Sequence, residues 1–317
     1  MDLRWISKVV ERIPLLVGCL LVLTLIASCG RDEEPLPLDL KSSPILTADR
    51  PGSDGVMRFA VAPVISPEKS FASYKLFTKY LAAHLKTPVQ LIQRKTYLEV
   101  NEMLRNGSVH FALVCTGAYI MGDREFGMDL VAVPRYLGKA EYHSFIIVRE
   151  ESPIRQIRDL EGKRIALSDP LSNSGYFYPM FLVNQMGRDP NRFFSQMLFT
   201  YSHDSSMQAV LEGIADVAAV DSLIFDYELD HNRALGRSLR IVHKSPPFGI
   251  NPIVASRTTP KGRVEAVKQI LLAMDQDAEG RRILDLLRID DFIEPPPGMY
   301  EATRQMILQA RGVEGSR

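Results

Sequence analysis

The sequence predicts an α/β protein of two lobes joined by two crossings, and three observations carry that expectation. From about Val56 onward, short apolar runs alternate with amphipathic stretches, the alternation of strand and helix that builds a sheet from βαβ units. The alternation comes in two sets. Between them lie two extended pieces, "SFIIVREES" and "SPPFGINPIVAS", placed so that the chain builds most of one lobe, then the other, and returns to the first. The expected boundaries are 56–148 with 250–317 for the first lobe and 149–249 for the second. The crossings are expected near Phe145–Ser152 and Ser245–Val254. One larger doubly wound domain satisfies the same periodicity, which does not separate the two.

In the first set, "MRFAVAP" reads as a buried strand. The helix after it carries Phe71, Tyr74, Leu76, Phe77, Leu81 and Leu85 near helical spacing, and Ser66-Pro67 supplies an N-cap and first turn. "PVQLIQ" is a second strand, "TYLEVNEMLRNG" a helix ended by Gly107, and "VHFALVC" a third strand. "DLVAVPRYL" and "YHSFIIVRE" are extended. In the second set, strands are expected at "KRIALSDP", "QMLFTY", "ADVAAV" and "LRIVHKSPP", with helices at Ser174–Met186, "SHDSSMQAVLEG" and "DSLIFDYELDH". "GINPIVASR" is extended, and the chain from Lys261 onward is mostly helical, with "RRILDLLRI" amphipathic.

The chain has 317 residues, is 46% hydrophobic and balances 38 basic against 38 acidic residues. That length allows two lobes with cores. The charge balance gives no sign of a nucleic-acid partner or a membrane-coating face. The N-terminus is distinct. Arg4, Lys8 and Arg12 precede "LLVGCLLVLTLIAS", an apolar run shorter than the ~20 residues of a membrane-spanning helix. A basic region before a short apolar one is a secretory signal, expected over 1–28. Its end, Ile26-Ala27-Ser28-Cys29, resembles a bacterial lipobox, which implies lipidation at Cys29. An ordinary signal with a chance cysteine, or an uncleaved anchor, fits the same run. Residues 29–55, rich in Pro, charge and small side chains, read as a flexible tether. With Cys19 in the signal and Cys29 lipidated, Cys115 stands alone, so no intrachain disulfide is expected and Cys115 reads as a core residue. No zinc-protease, paired-cysteine, phosphate-loop or nucleophile-elbow motif is present. Neither a metal nor a cofactor is therefore expected.

In α/β sheets ligands bind beyond the carboxyl ends of strands, where helices begin. "LSDPLSNSG" occupies such a turn. Ser172, Asn173 and Ser174 can each cap the following helix, and its free N–H groups form an anion site. Capping and anion binding use one geometry and are not separated by the sequence. "TYSHDSSMQAV" places His203 at the next strand-to-helix turn, where a cation is disfavoured and an anion would be served; the alternative is a surface cap with His203 in solvent. Asp221 follows a third strand as an N-cap, or as an acceptor for a protonated ligand oxygen or an amine. Thr116 and Gly117 occupy the matching turn of the first lobe, and Tyr97 follows its second strand.

On these residues the chain resembles the phosphate/phosphite/phosphonate substrate-binding proteins of ABC transporters, from about Arg58 to Thr258. The resemblance lies in the Tyr74–Leu81 helix and in "FALVCTGAY" (111–119). It continues through the segment from Tyr142 to Pro179, the segment from Ser202 to Ser222, and "SPP" with Pro252 and Val254. It implies a two-lobed periplasmic-binding-protein-like fold of type II with two hinge crossings. It also implies an oxyanion held by the turn at Ser172, Asn173 and Ser174, with His203 and Tyr97 alongside. Asn173 departs from the pattern, where many members carry Thr, and so does "CTG" at 115–117.

The expected function is that of a monomeric, exported lipoprotein without chemistry of its own. It would capture phosphate, phosphite or a phosphonate between its lobes and deliver it to an ABC permease. A ligand sensor of the same fold and an exported phosphoester enzyme are the competing classes, the latter lacking metal and nucleophile motifs. The lipid anchor would hold the protein on the periplasmic face of a bacterial membrane or at the cell surface. Gly30 after Cys29 is compatible with outer-membrane sorting.

Overall fold

A computed structural model describes residues 55–232 and 235–311; the expected signal 1–28, Cys29 and all but the last residue of the 29–55 tether lie outside the described residues. The chain begins with β1 (Met57–Val61), α1 (Pro67–Leu85), β2 (Val89–Gln93), α2 (Tyr97–Arg105), β3 (Phe111–Leu113), α3 (Thr116–Glu125) and β4 (Met128–Arg135). Pro67 opens α1 as expected. The Ser66 hydroxyl, however, does not cap it and donates instead to Asp204 Oδ2 at 2.7 Å. Phe71, expected on the apolar face of α1, is exposed, with the Lys75 ammonium over its ring. A capping box of Thr96 and Glu99 starts α2, and Gly107 takes the positive φ that turns the chain after it.

The chain then passes through β5 (Glu141–Tyr142), β6 (Ser144–Arg149) and β7 (Arg164–Leu167), a π-helical turn (Asn173–Phe177), α4 (Tyr178–Gln185) and a short α5 (Pro190–Phe193). Next come β8 (Gln196–Phe199), α6 (His203–Leu211), β9 (Val217–Asp221), α7 (Ser222–His231), the single turn α8 (Leu235–Ser238) and β10 (Leu239–Lys244). It returns through β11 (Phe248–Gly249) and β12 (Ile253–Ser256) and finishes with α9 (Lys261–Leu272), α10 (Ala278–Leu287), β13 (Asp291–Ile293) and α11 (Glu301–Ala310).

Two sheets result, with strand orders β13-β4-β12-β3-β1-β2 and β10-β6-β9-β7-β8. β1 pairs in parallel with β2 and β3, and β7 with β8 and β9, as βαβ units require. The returning β12 enters the first sheet antiparallel, between β3 and β4. Each sheet is apolar on both faces. One face of the first carries Phe59, Phe77, Leu81 and Leu271, and the other Val100, Leu104, Ile120 and Ile307. The fold is thus the two-lobed α/β type with two crossings.

The first crossing lies earlier than expected, while the second falls within the expected Ser245–Val254. β5 and β11 pair antiparallel, Phe248 opposite Tyr142, and form the two-stranded connection between the sheets. β6, assigned by the sequence partly to the first lobe and partly to a hinge, is a central strand of the second sheet, flanked by β9 and β10. Ile146, Ile147 and Val148 are fully buried there. An apolar run announces a buried strand but not the sheet it joins, which is why the boundary shifts. β13 lies in the stretch expected to be helical; only its Phe292 is buried, too little periodicity to announce a strand. The C-terminal helix α11 ties both parts together. Arg304 pairs with Asp123 at 2.9 Å, and the Ala310 carbonyl accepts from Asn184 Nδ2 of α4 at 2.9 Å.

Candidate functional site

Five helical N-termini meet between the two sheets, and hydrogen bonds join them. From the first lobe, α2 presents Tyr97, whose N–H donates to Asp169 Oδ2 at 3.0 Å, just beyond the end of β7. α3 presents Thr116 and Gly117. A Cβ on Gly117 would lie 2.4 Å from the Leu171 carbonyl oxygen and 2.8 Å from the Asn173 nitrogen. Only glycine lets α3 approach the Leu171–Asn173 backbone this closely. The Thr116 hydroxyl donates to the Gly249 carbonyl at 2.8 Å, and its N–H donates to Asn251 Oδ1 at 3.0 Å, which fastens α3 to the returning chain.

From the second lobe, the stretch after β7 forms a π-helical turn, in which Phe177 N–H reaches back to the Ser172 carbonyl at 3.0 Å. Such turns widen a helix and recur at functional sites. Its three polar side chains separate into different tasks. Ser172 Oγ accepts from Gly175 N–H at 3.0 Å and is the cap. Asn173 Nδ2 donates to the Tyr142 hydroxyl at 3.0 Å, while its Oδ1 has no partner within the protein. The Ser174 carbonyl accepts from Ser144 Oγ at 2.7 Å, and its own hydroxyl has no protein partner. A Cβ on Gly175 would lie 2.0 Å from Ser168 Oγ and 2.9 Å from His203 Cε1, so these three residues touch.

His203 begins α6, and its N–H donates across the cleft to the Val64 carbonyl at 3.1 Å. Its Nδ1 accepts from Asp221 N–H at 3.1 Å, which puts the ring proton on Nε2. Burial lowers its pKa to about 3, because a cation there would lose its water. Asp221 caps α7 by accepting from Leu223 N–H at 2.8 Å, and burial raises its carboxyl to about 7. The Tyr97 and Tyr142 phenols are pushed well above their usual range by burial and stay protonated. The Cys115 thiol is likewise raised to about 11 by burial, as suits a core residue.

Tyr97 Oη, Ser168 Oγ, Asn173 Oδ1, Ser174 Oγ and His203 Nε2 are all buried without a hydrogen-bond partner in the protein. Each such group costs about 1–3 kcal/mol, so five at one junction is a concentration that calls for a ligand's atoms. Neither Lys nor Arg occurs among these residues. Further contacts hold the lobes against one another: Ser66 N–H donates to Asp204 Oδ1 at 3.0 Å, and Lys69 pairs with Glu228 at 2.7 Å. No cluster able to hold a metal ion and no helix able to span a membrane occurs among the described residues.

All eight sequence-predicted residues lie at this junction, though Thr116 bonds within the protein and Gly117 serves contact rather than hydrogen bonding. Sequence reasoning missed Ser168, Asp169, Tyr142 and Asn251. Ser168 and Asp169 follow β7 directly, so the strand-end rule could have found them. Nothing local marks Tyr142 or Asn251, which reach the site only through the crossing strands.

Comparison with known proteins accords with this geometry. The family profile described as "ABC transporter, phosphonate, periplasmic substrate-binding protein" matches residues 59–300. A phosphate-import protein of Mycolicibacterium smegmatis is 27% identical over 206 residues, covering 61% of this chain; the chain spans 64% of that relative's length. A probable ABC transporter phosphite-binding protein of Prochlorococcus marinus is 21% identical over 82% of this chain and 90% of its own. Among solved structures, a binding-protein component of an ABC phosphonate transporter from Pseudomonas aeruginosa shares the fold. Its TM-score is 0.76 at 20% identity, covering 81% of this chain and 87% of that one. With most of its length matched, the chain belongs to the periplasmic substrate-binding proteins of ABC phosphonate transporters, a family that binds and does not catalyse.

Proposed function

We propose that the protein captures a phosphorus oxyanion (phosphate, phosphite or a phosphonate) between its lobes and hands it to an ABC permease. The observation that carries this reading is the set of buried polar atoms without protein partners, gathered where helices begin. Ser168, Ser174, Tyr97 and the neutral His203 Nε2–H donate to oxyanion oxygens. The helix N-termini add favourable dipoles without a fixed positive charge. Asn173 Oδ1 is an acceptor, and so is the Asp221 carboxylate above its raised pKa of about 7; both suit the protonated oxygen of a phosphorus acid and are ill suited to a fully ionised sulfate. Gly117 lets the lobes shut, and Thr116 holds α3 in place. The relatives named for phosphate import and phosphite binding agree in ligand class.

In this reading the protein is a monomer without a cofactor, exported and anchored by a lipid on Cys29, with 29–55 as the tether. Residues 55–142 with 249–311 form the first lobe and 143–248 the second, a division the strand pairing supports. Closure bends the β5/β11 connection and presents the shut form to the permease. Isothermal titration with phosphate, phosphite, methylphosphonate and sulfate tests the ligand. At least one phosphorus oxyanion should bind at micromolar or tighter concentration and sulfate should not; silence from all three phosphorus ligands overturns the reading.

A further inference from the structure

We propose that the cleft carries, beside the oxyanion site, a separate subsite for a compact apolar or aromatic side group. The preferred ligand would then be an organophosphonate with an uncharged substituent of up to about phenyl size. This rests on the oxyanion reading above and narrows it.

A cavity of about 140 Å³ lies between the lobes, walled by Ala62, Ile65 and Leu113 from the first lobe and by Leu223, Ile224 and Tyr227 from the second. Because both lobes wall it, it takes this form only when they meet. It adjoins the oxyanion site through three direct bonds. The carbonyl of Val64, a lining residue, accepts from His203 N–H at 3.1 Å. Asn251, another, accepts from Thr116 N–H at 3.0 Å. Leu223 N–H donates to Asp221 Oδ1 at 2.8 Å. The oxyanion-holding side chains do not themselves line the cavity, so a side group on the bound phosphorus would reach it past His203, Thr116 and Asp221, the residues these bonds tie to its wall.

Size and polarity choose the class of side group. In volume it is close to a cavity that admits benzene, and aliphatic side chains and tyrosine rings make up most of its wall. No carboxylate lines it. Its one charged lining residue is Arg288, which pairs with Asp230 at 2.6 Å and lies over the Tyr227 ring at 5.1 Å. An ammonium group would find no counter-charge here and would meet a guanidinium, whereas an aromatic ring meets tyrosines and aliphatic side chains.

The test is a titration series of phosphate, methylphosphonate, 2-aminoethylphosphonate and phenylphosphonate on the purified protein, repeated with Leu287→Phe and Ile289→Phe, two further wall residues that take no part in the bonds to the oxyanion site. Phenylphosphonate should bind at least about tenfold more tightly than methylphosphonate, and 2-aminoethylphosphonate more weakly than either. Both variants should erase the phenyl advantage and hold methylphosphonate within about threefold. If methylphosphonate or phosphate binds and the phenyl group adds nothing, the subsite is wrong while the oxyanion site stands. Equal loss of both ligands in the variants also overturns it, since a separate pocket would spare methylphosphonate. If no ligand binds, the oxyanion reading fails and the subsite with it. Should a variant not fold, the series on the unmodified protein decides alone.

Discussion

The two lobes bring unlike equipment to the same cleft. On the second, four of the five unpartnered polar atoms, those of Ser168, Asn173, Ser174 and His203, sit on helical N-termini or strand ends of one sheet. On the first, Tyr97 contributes the one at the helix start, Asn101 Oδ1 lying a turn further along α2; Thr116 is bonded within its own lobe, and Gly117 offers the absence of a side chain. Under the proposed function one side grips and the other shuts. That grip would use neutral, buried donors, for which each hydrogen bond counts for more than it would at the surface. The shutting side needs surface fit, and a single hydrogen-to-methyl change can spoil it.

The sharpest way to break that contrast is on the shutting side. Gly117→Val puts carbon within contact distances that the Leu171 and Asn173 backbone cannot accept when the lobes meet. It should lower oxyanion affinity by about a hundredfold or more. The ligand-free melting temperature should move little, because the clash exists only across the cleft. Calorimetric titration together with thermal melts would show this; a large loss of intrinsic stability with intact affinity would remove Gly117 from the closing surface.

On the gripping side, His203 and Asp221 oppose each other in pH. With its pKa lowered from 6.5 to about 3, His203 refuses a proton that the unfolded chain accepts. Its contribution is therefore present above pH 6.5 and is lost as pH falls. With its pKa raised from 3.8 to about 7, Asp221 keeps a proton that the unfolded chain releases, so its contribution is present at low pH and is lost as pH rises toward 7. Between roughly pH 4.5 and 6 the two slopes have opposite sign, each at most about 1.4 kcal/mol per pH unit. Relative to the unmodified protein, Asp221→Asn should make stability climb more steeply with pH in that window, and His203→Gln should make it fall. Urea melts at three pH values would measure both slopes; matching changes in the two variants would refute the opposition.

The smallest effects should divide the serines. Ser172→Ala removes the hydroxyl that accepts from Gly175 and should cost about 1 kcal/mol of stability. Ser174→Ala removes a hydroxyl with no protein partner and should weaken oxyanion binding about tenfold at nearly unchanged stability. The reverse pattern would exchange their roles.

How much of this was legible beforehand depended on whether the cause was local. α1 with Pro67, the strands at "MRFAV" and "VAAVD", and the polar turns at Ser172, His203 and Asp221 follow from spacing and capping within a few residues, so the sequence announces them. The sheet that β6 joins, the pairing of β5 with β11, and the roles of Tyr142 and Asn251 depend on residues tens of positions away. Periodicity has no term for such partners.

The stretch Ser172-Asn173-Ser174 shows the division in miniature. By itself the sequence determined a two-set α/β chain with a polar, helix-starting turn at the end of a strand. Cap and anion site were indistinguishable there, because both use the same N–H groups. Only the tertiary structure decided that Ser172 is the cap, that Asn173 is spent partly on Tyr142, and that Ser174 stands without a protein partner. Which hydroxyl is free depends on the neighbours that other parts of the chain bring to it, and those neighbours are settled by folding.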